Sequence, residues 1–237
     1  MSKNEIKLMS YEEASDYFSK RDIAILPIGS IEQHGPANPL GTDSIIAEAL
    51  AKEASRRTGT LCLPLIPVGI SFHHINFPGT LSVSERALEQ YTLDLISSLA
   101  RWGVRKVLII NGHGGNLPTL QILSRRARED LGVYVYIYQW WNSPKLEDLF
   151  DSEERGHAAA AETSLIMYLC PEAVNTQKLR DESLSREEIN AVRFVYTDEI
   201  SRSGIMGRQS SASAYRGREL FEKILEDLIE VIEKIRG

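Results

Sequence analysis

The chain has 237 residues, 43% of them hydrophobic and 25% charged, with a formal net charge of −6. That balance is ordinary for a globular protein with a substantial core. The acidic charge and the lack of any basic block argue against nucleic acid as the main partner, and no apolar run approaches the ~20 residues that span a bilayer. At about 150 residues per domain the length allows one or two domains. No linker-like run divides it, so one domain over residues 1–237 is expected. The first residues lack the apolar centre of a secretion signal, which makes the cytoplasm the expected location. Cys62 and Cys170 each sit in an apolar run and read as buried thiols, not as a disulfide.

Residues 11–19 read as a short helix with Ser10 as its cap. Residues 23–28, Ile-Ala-Ile-Leu-Pro-Ile, are apolar without interruption, as in a strand buried on both faces of a parallel sheet. A loop rich in Gly and Pro, within residues 26–44, carries Glu32, His34 and Asp43. Residues 44–57 form the next predicted helix, with Ile45, Ile46, Ala49 and Leu50 on its apolar face. Residues 61–68 are apolar but broken by Pro64 and Pro67, which lack ladder donors, so this strand lies at an edge or ends early. A second unusual loop, residues 69–80, holds Ser71, His73 and His74. Ser82 or Ser84 caps a helix over 85–102, and residues 104–110 are a third buried strand. The loop Asn-Gly-His-Gly-Gly-Asn, ending at Asn116, leads into a helix over 117–131 and a fourth strand over 133–138.

Strand, loop and helix repeated four times predict an α/β fold, a three-layer α/β/α domain with a mostly parallel central sheet. Ligands of such sheets bind beyond the carboxyl ends of the strands. The loops of Glu32 and His113 are therefore expected to converge. Beyond the fourth strand the pattern loosens. Residues 139–155, with Trp140 and Trp141, read as a loop or short helix, and residues 157–169 as a helix. Residues 172–199 are polar, with room for a short helix, and the Ser-, Gly- and Arg-rich residues 201–217 read as a surface loop or lid. Residues 217–236 form an amphipathic helix that presents Leu220, Ile224, Leu228, Val231, Ile232 and Ile235 to the core.

The chemistry-bearing residues each have two readings. Glu32 and His34 are two apart, so in extended backbone both point the same way and can reach one centre. Asp43 is a helix cap or a metal ligand. His113, between glycines, is a surface residue or belongs to a tight loop held by Asn111 and Asn116. Glu162 is a solvent-facing helix acid or a site residue. It would diverge from His157 by roughly 140° on one helix, so the two share a site only if His157 lies at or before the helix start. Glu32, His34, Asp43, His113, His157 and Glu162 together mix carboxylate and imidazole, a donor set for Zn²⁺, Mn²⁺ or Fe²⁺. With Asp43 bridging, the set is large enough for two ions about 3.5–4 Å apart. A non-catalytic metal-binding module is the competing class, marked by a closed coordination shell. Dinucleotide binding is disfavoured, because no G-x-G-x-x-G follows the first strand.

Four motifs in order carry a resemblance. They are Gly-Ser-Ile-Glu-Gln-His-Gly-Pro running on to Pro-Leu-Gly-Thr-Asp, then Phe-Pro-Gly-Thr, then Asn-Gly-His-Gly-Gly-Asn, then His-Ala-x-x-x-Glu-Thr-Ser. Over residues 26–169 the chain resembles the creatininase (creatinine amidohydrolase) family. The resemblance implies an α/β/α fold, a two-metal amidohydrolase site acting on a small-molecule substrate through a metal-bridging hydroxide, and a homo-oligomer, often a hexamer. By the same resemblance Glu32, Asp43 and His113 match the ligands of one metal, and His34 and Asp43 those of the other. His157 matches the proton donor to the leaving nitrogen. Trp140 or Trp141 is similar to an aromatic that closes over substrate, and Ser71 and His74 fall on the loop that lines the substrate side. His73 has no matched role. Creatinine-hydrolysing members carry Tyr-Glu after the histidine of the third motif, and that Glu is a ligand. Here Gly114 and Gly115 take those places, which puts Gly114 among the substrate-side residues and leaves Glu162 as the substitute ligand or as a catalytic general base. The Gly-Gly form is similar to two other branches, the formamidopyrimidine nucleotide deformylases and the peptidases of a redox-cofactor precursor. Arg202, Arg208, Arg216 and Arg218 could meet a substrate phosphate or form a solvated face.

Overall fold

The computed structural model describes residues 3–184 and 193–237. Four parallel strands make the central sheet in the order β2-β1-β3-β4: β1 (Ile23–Ile28), β2 (Leu61–Cys62), β3 (Lys106–Asn111) and β4 (Tyr134–Gln139). Around them run α1 (Tyr11–Lys20), α2 (Thr42–Thr58), α3 (Glu85–Arg101), α4 (Leu117–Leu131), α5 (Ala160–Leu169) and α6 (Ala214–Arg236). Every residue of β1 is buried. Alternate side chains of β1 enter separate cores, as the period of two requires. Ile23 and Ile25 pack with α2, α5 and α6, and Ala24, Leu26 and Ile28 with α1, α3 and α4. The three-layer α/β/α fold follows directly from a strand that is apolar on both faces.

Register is what places the site. Ile28 lies opposite Asn111, and Asn111 opposite Gln139, so β1, β3 and β4 end level and release their loops side by side. The Gly112 N–H donates to the Ile28 carbonyl at 2.8 Å, which fastens the third loop to the first. Pro64 and Pro67 confine β2 to two residues at the sheet edge, as proline in a ladder dictates. Ser10 caps α1 in a capping box with Glu13, and Ser84, not Ser82, caps α3.

Four expectations need correcting. The helix after residue 156 begins at Ala160, not at His157, because Ala158 takes a left-handed φ of 57° and breaks the turn. His157 therefore lies before the helix, which satisfies the condition for it to share a site with Glu162. Residues 201–217 are not a free surface loop. Ser201, Ile205 and Gln209 are buried, and β6 (Gly207–Arg208) pairs antiparallel with β5 (Asp181–Glu182). Cys170, at the end of α5, is half-buried and donates to Glu172, whereas Cys62 is buried. Between residues 172 and 199 the described part holds β5 and the short 3₁₀ turns Thr176–Lys178 and Thr197–Glu199. The rest of the short helix expected there, residues 185–192, lies outside the described residues. None of the described helices is long and apolar enough to cross a membrane.

Candidate active site

The first loop leaves β1 in extended backbone, and Glu32 and His34 do turn to one centre, both essentially buried. Asp43 joins them from the first turn of α2. Its reading as a helix cap fails, since Gly41 occupies the cap position and makes no side-chain cap bond. The Asp43 carboxylate is thus available, and it spans two imidazoles. Oδ1 lies 3.0 Å from His34 Nε2, and Oδ2 lies 3.1 Å from His113 Nδ1. Glu32 Oε2 lies 3.1 Å from the same His113 nitrogen. Glu162 Oε2 approaches His34 Nε2 at 3.6 Å from the other side. The third loop fits this closely because residue 112 is glycine: a Cβ there would sit 2.4 Å from the Asp43 carbonyl oxygen.

Each histidine is aimed by its other ring nitrogen. His34 Nδ1 is 3.2 Å from the Glu32 carbonyl oxygen, and His113 Nε2 is 2.9 Å from the Ile70 carbonyl oxygen. A carbonyl can only accept, so these nitrogens donate and leave His34 Nε2 and His113 Nδ1 facing the carboxylates. His157 Nε2 donates to the Gln33 carbonyl at 2.9 Å, and its Nδ1 faces Glu32 Oε1 at 3.8 Å. Asn111 and Asn116 hold the third loop: the Asn111 amide donates to the His113 carbonyl at 2.8 Å, and the Asn116 amide to the Gly29 carbonyl at 3.1 Å.

Ser71 and His74, expected on the substrate side, are both buried beneath Glu32. The Ser71 hydroxyl donates to Glu32 Oε2 at 2.6 Å. His74 Nδ1 lies 2.8 Å from Thr197 Oγ1 and 3.0 Å from Gln33 Nε2, which turns its Nε2 towards Glu32 Oε1 at 3.4 Å. Both side chains hold a carboxylate. Gly114, Trp140 and Trp141 line the adjoining pocket of about 360 Å³. Trp140 is also core, 1% exposed, while Trp141 is half-buried and meets it edge-on.

The electrostatics follow from two carboxylates packed together out of water. Burial alone would raise Glu32, yet the facing His113 charge draws it down to about 2. Burial likewise opposes ionisation of Asp43, and the His34 charge lowers it below the usual carboxylate range. In return, and against burial, His34 is raised to about 10 by Asp43 and His113 is raised well above its ordinary value by Glu32. Burial pushes Glu162 up to about 7. Burial, then the nearby His34 charge, takes His157 down to about 3.

This donor set fits divalent ions. Among the described residues, the buried Glu32 Oε1, His34 Nε2 and Asp43 Oδ2 meet only ionisable groups of the same cluster, an arrangement costly in a purely structural role. His34, Asp43 and Glu162 can place one ligand atom each within 4.8 Å of one another, as can Glu32, His73 and His113. The carboxylates demand positive charge, and a cation there replaces protons on the imidazoles.

Sequence reasoning missed three residues at this site. His73 stands beside Glu32 and His113, and the doublet with His74 was its only signal. Gln33, between two ligands, points the opposite way and binds Gly204 and His74. Arg155 lines the pocket while paired with Glu147, whereas Arg208 and Arg216, tied to Asp151 and Glu154, do not line it.

The family description creatininase, creatinine amidohydrolase, matches residues 7–232. A mycofactocin precursor peptide peptidase of Mycobacterium ulcerans is 31% identical over 224 residues, covering 89% of this chain and 84% of that one. A 2-amino-5-formylamino-6-ribosylaminopyrimidin-4(3H)-one 5'-monophosphate deformylase of Methanosphaera stadtmanae is 33% identical over 237 residues, covering 99% of this chain and 96% of that one. The solved structure "Creatininase Mn" is similar in fold, with a TM-score of 0.85, 23% identity and 99% of each chain covered. With the family matched over nearly its whole length, this chain belongs to the creatininase family and is a hydrolase of C–N bonds.

Proposed function

We propose that the protein hydrolyses the amide C–N bond of a small polar molecule with two divalent ions, zinc, manganese or iron. The observation that carries this reading is the buried Asp43 carboxylate, whose two oxygens face His34 and His113 separately at 3.0 and 3.1 Å. Glu32, Asp43 and His113 would hold one ion, and His34, Asp43 and Glu162 the other. Ions bound there supply a water acidic enough to deliver hydroxide near neutral pH and polarise the substrate carbonyl.

The rest is the work of this chain. His157 is held neutral, with Nε2–H committed to Gln33 and the Nδ1 lone pair facing the site. It accepts the proton of the attacking water and passes it to the leaving nitrogen. It is thus base first and acid second. Trp140 and Trp141 line the pocket as an aromatic wall for substrate. At Gly114 a Cβ would meet nothing within 4 Å, which leaves room beside His113 for substrate. Arg155, a lining residue of the pocket paired with Glu147 at 2.6 Å, supports a second reading, an anionic substrate such as a formamide nucleotide that would compete for its guanidinium.

The test is a hydrolysis screen over creatinine, a formamide nucleotide and a short peptide, with Fe²⁺, Mn²⁺ or Zn²⁺ restored to chelator-treated protein. One substrate class should be cleaved only with metal, and EDTA should abolish turnover. Full activity in rigorously metal-free protein overturns the proposal.

A further inference from the structure

All five histidines of the chain surround this one site. Four have roles above, and His73 has none. Yet one of its ring nitrogens lies within 4.8 Å of ligand atoms of both Glu32 and His113. Its ring stacks on His113, centroids 5.4 Å apart and planes 8° from parallel, and packs on His74 at 4.1 Å. The backbone beneath is shaped for it. A Cβ at Gly115 would stand 3.0 Å from His73 Cε1, 2.4 Å from His113 Nε2 and 2.3 Å from the Ile70 carbonyl oxygen. Any side chain at 115 would displace one of the two imidazoles. Glycine there and histidine at 73 therefore form one packing solution, and it brings a second imidazole to the Glu32 side of the site.

We propose that His73 is the fourth protein ligand of the ion held by Glu32, Asp43 and His113, an assignment that rests on the two-ion reading above. The two positions then differ in kind. Two carboxylates and two imidazoles complete a four-coordinate shell, the pattern of a retained ion. The His34, Asp43 and Glu162 position has three protein donors and keeps a place open for water or substrate. The first ion should be held tightly and exchange slowly, and the second should exchange readily.

Cobalt(II) tests this without reference to turnover, since its visible absorption reports coordination number. Chelator-treated wild type, titrated with Co²⁺, should bind in two resolved steps, the tighter one with the intense bands of low coordination. His73→Ala should weaken the tighter step by about tenfold or more, in line with losses at metal shells, and dull its bands. The weaker step should stay within about twofold, and added free imidazole should restore the lost bands. His73→Gln, which keeps polarity and bulk, serves if the alanine variant does not fold, and should show the same loss. Unchanged affinities and bands in the variants overturn the role of His73 and leave the two-ion reading standing. Wild type that takes up fewer than two ions overturns that reading itself.

Discussion

Two acid clusters are buried in this molecule, and the protein treats them in opposite ways. Glu154 sits 6% exposed after β4, and every demand it makes is met. Arg216 reaches its oxygens at 2.8 and 2.9 Å, Ser211 donates at 2.5 Å, and the Asp151 N–H donates at 3.1 Å. Glu32 and Asp43, more deeply buried still, face five imidazoles and, among the described residues, no arginine. A guanidinium brings a permanent charge and fixed donors, so it closes a site. Imidazoles give up their protons to a cation, so they leave a site loadable. The difference lies chiefly in the partners, and Glu32 and Asp43 are also the more deeply buried.

Asp43→Asn breaks the loadable cluster and should have the largest effect. The amide keeps the shape but loses the charge and one accepting oxygen, so it cannot serve both positions. Turnover should fall by well over about 100-fold, beyond what outer-shell changes at metal sites cost. Metal content after dialysis should drop below two ions per chain while the far-ultraviolet circular dichroism is kept. An Asn variant that still retains both ions would show that the carboxylate does not bridge.

Arg216→Ala breaks the closed cluster and should cost stability instead of activity. It leaves Arg208, at 3.9 Å, as the nearest cation to Glu154 among the described residues, and removes the guanidinium that lies 3.9 Å over the Phe150 ring. Arg216 is about a quarter exposed, so the loss should fall at the low end for a buried pair, about 3 kcal/mol. For a chain of this length that is roughly 6–12 °C in Tm. Its pH dependence is fixed in sign. The Arg216 hydrogen bond, opposed by burial, draws Glu154 down to about 2, below its unfolded value. The stabilisation is therefore complete above the unfolded carboxyl range and fades as pH falls from there through about 2. Denaturant titrations of both proteins should give a gap that is constant from neutral pH down to about 5 and closes in stronger acid. A gap independent of pH would mean that the loss comes from packing on Phe150 and not from charge.

These contrasts were legible in the sequence only in part. The apolar run of β1 and the proline breaks of β2 are local, so the parallel three-layer sheet could be read from them. Glu32, His34 and His113 could be read because short spacings and flanking glycines are local too, and the level ends of β1 and β3 follow from the fold class. Arg216 could not be assigned to Glu154, because 62 residues separate the partners and a charge-rich loop looks the same whether solvated or packed. His73 was illegible for a similar reason: its place above Gly115 depends on a crossing between two loops. Trp140 was ambiguous because one face serves the core and the other the pocket. The start of α5 was misread because four alanines in a row favour helix, and nothing local announces the left-handed turn at Ala158.

That turn gives the smallest and most local test of the comparison. Ala158 holds a φ of 57°, a conformation that costs a residue with a Cβ about 1–2 kcal/mol. Gln209 Nε2 donates to its carbonyl at 2.8 Å, and its own N–H donates to Glu162 Oε2 at 2.6 Å. The strained residue thus aims Glu162 of the loadable cluster, the kind of place where strain persists. Ala158→Gly relieves the strain but adds freedom to the unfolded chain worth about 0.4–1 kcal/mol. The net change should be a gain of up to about 1 kcal/mol in chelator-treated protein, measured by denaturant unfolding. Activity should fall a few-fold, because the N–H that fixes Glu162 is now on a looser residue. A loss of stability would mean that the buried Ala158 methyl contributes more than the strain costs, and unchanged activity would mean that Glu162 is aimed by its helix alone.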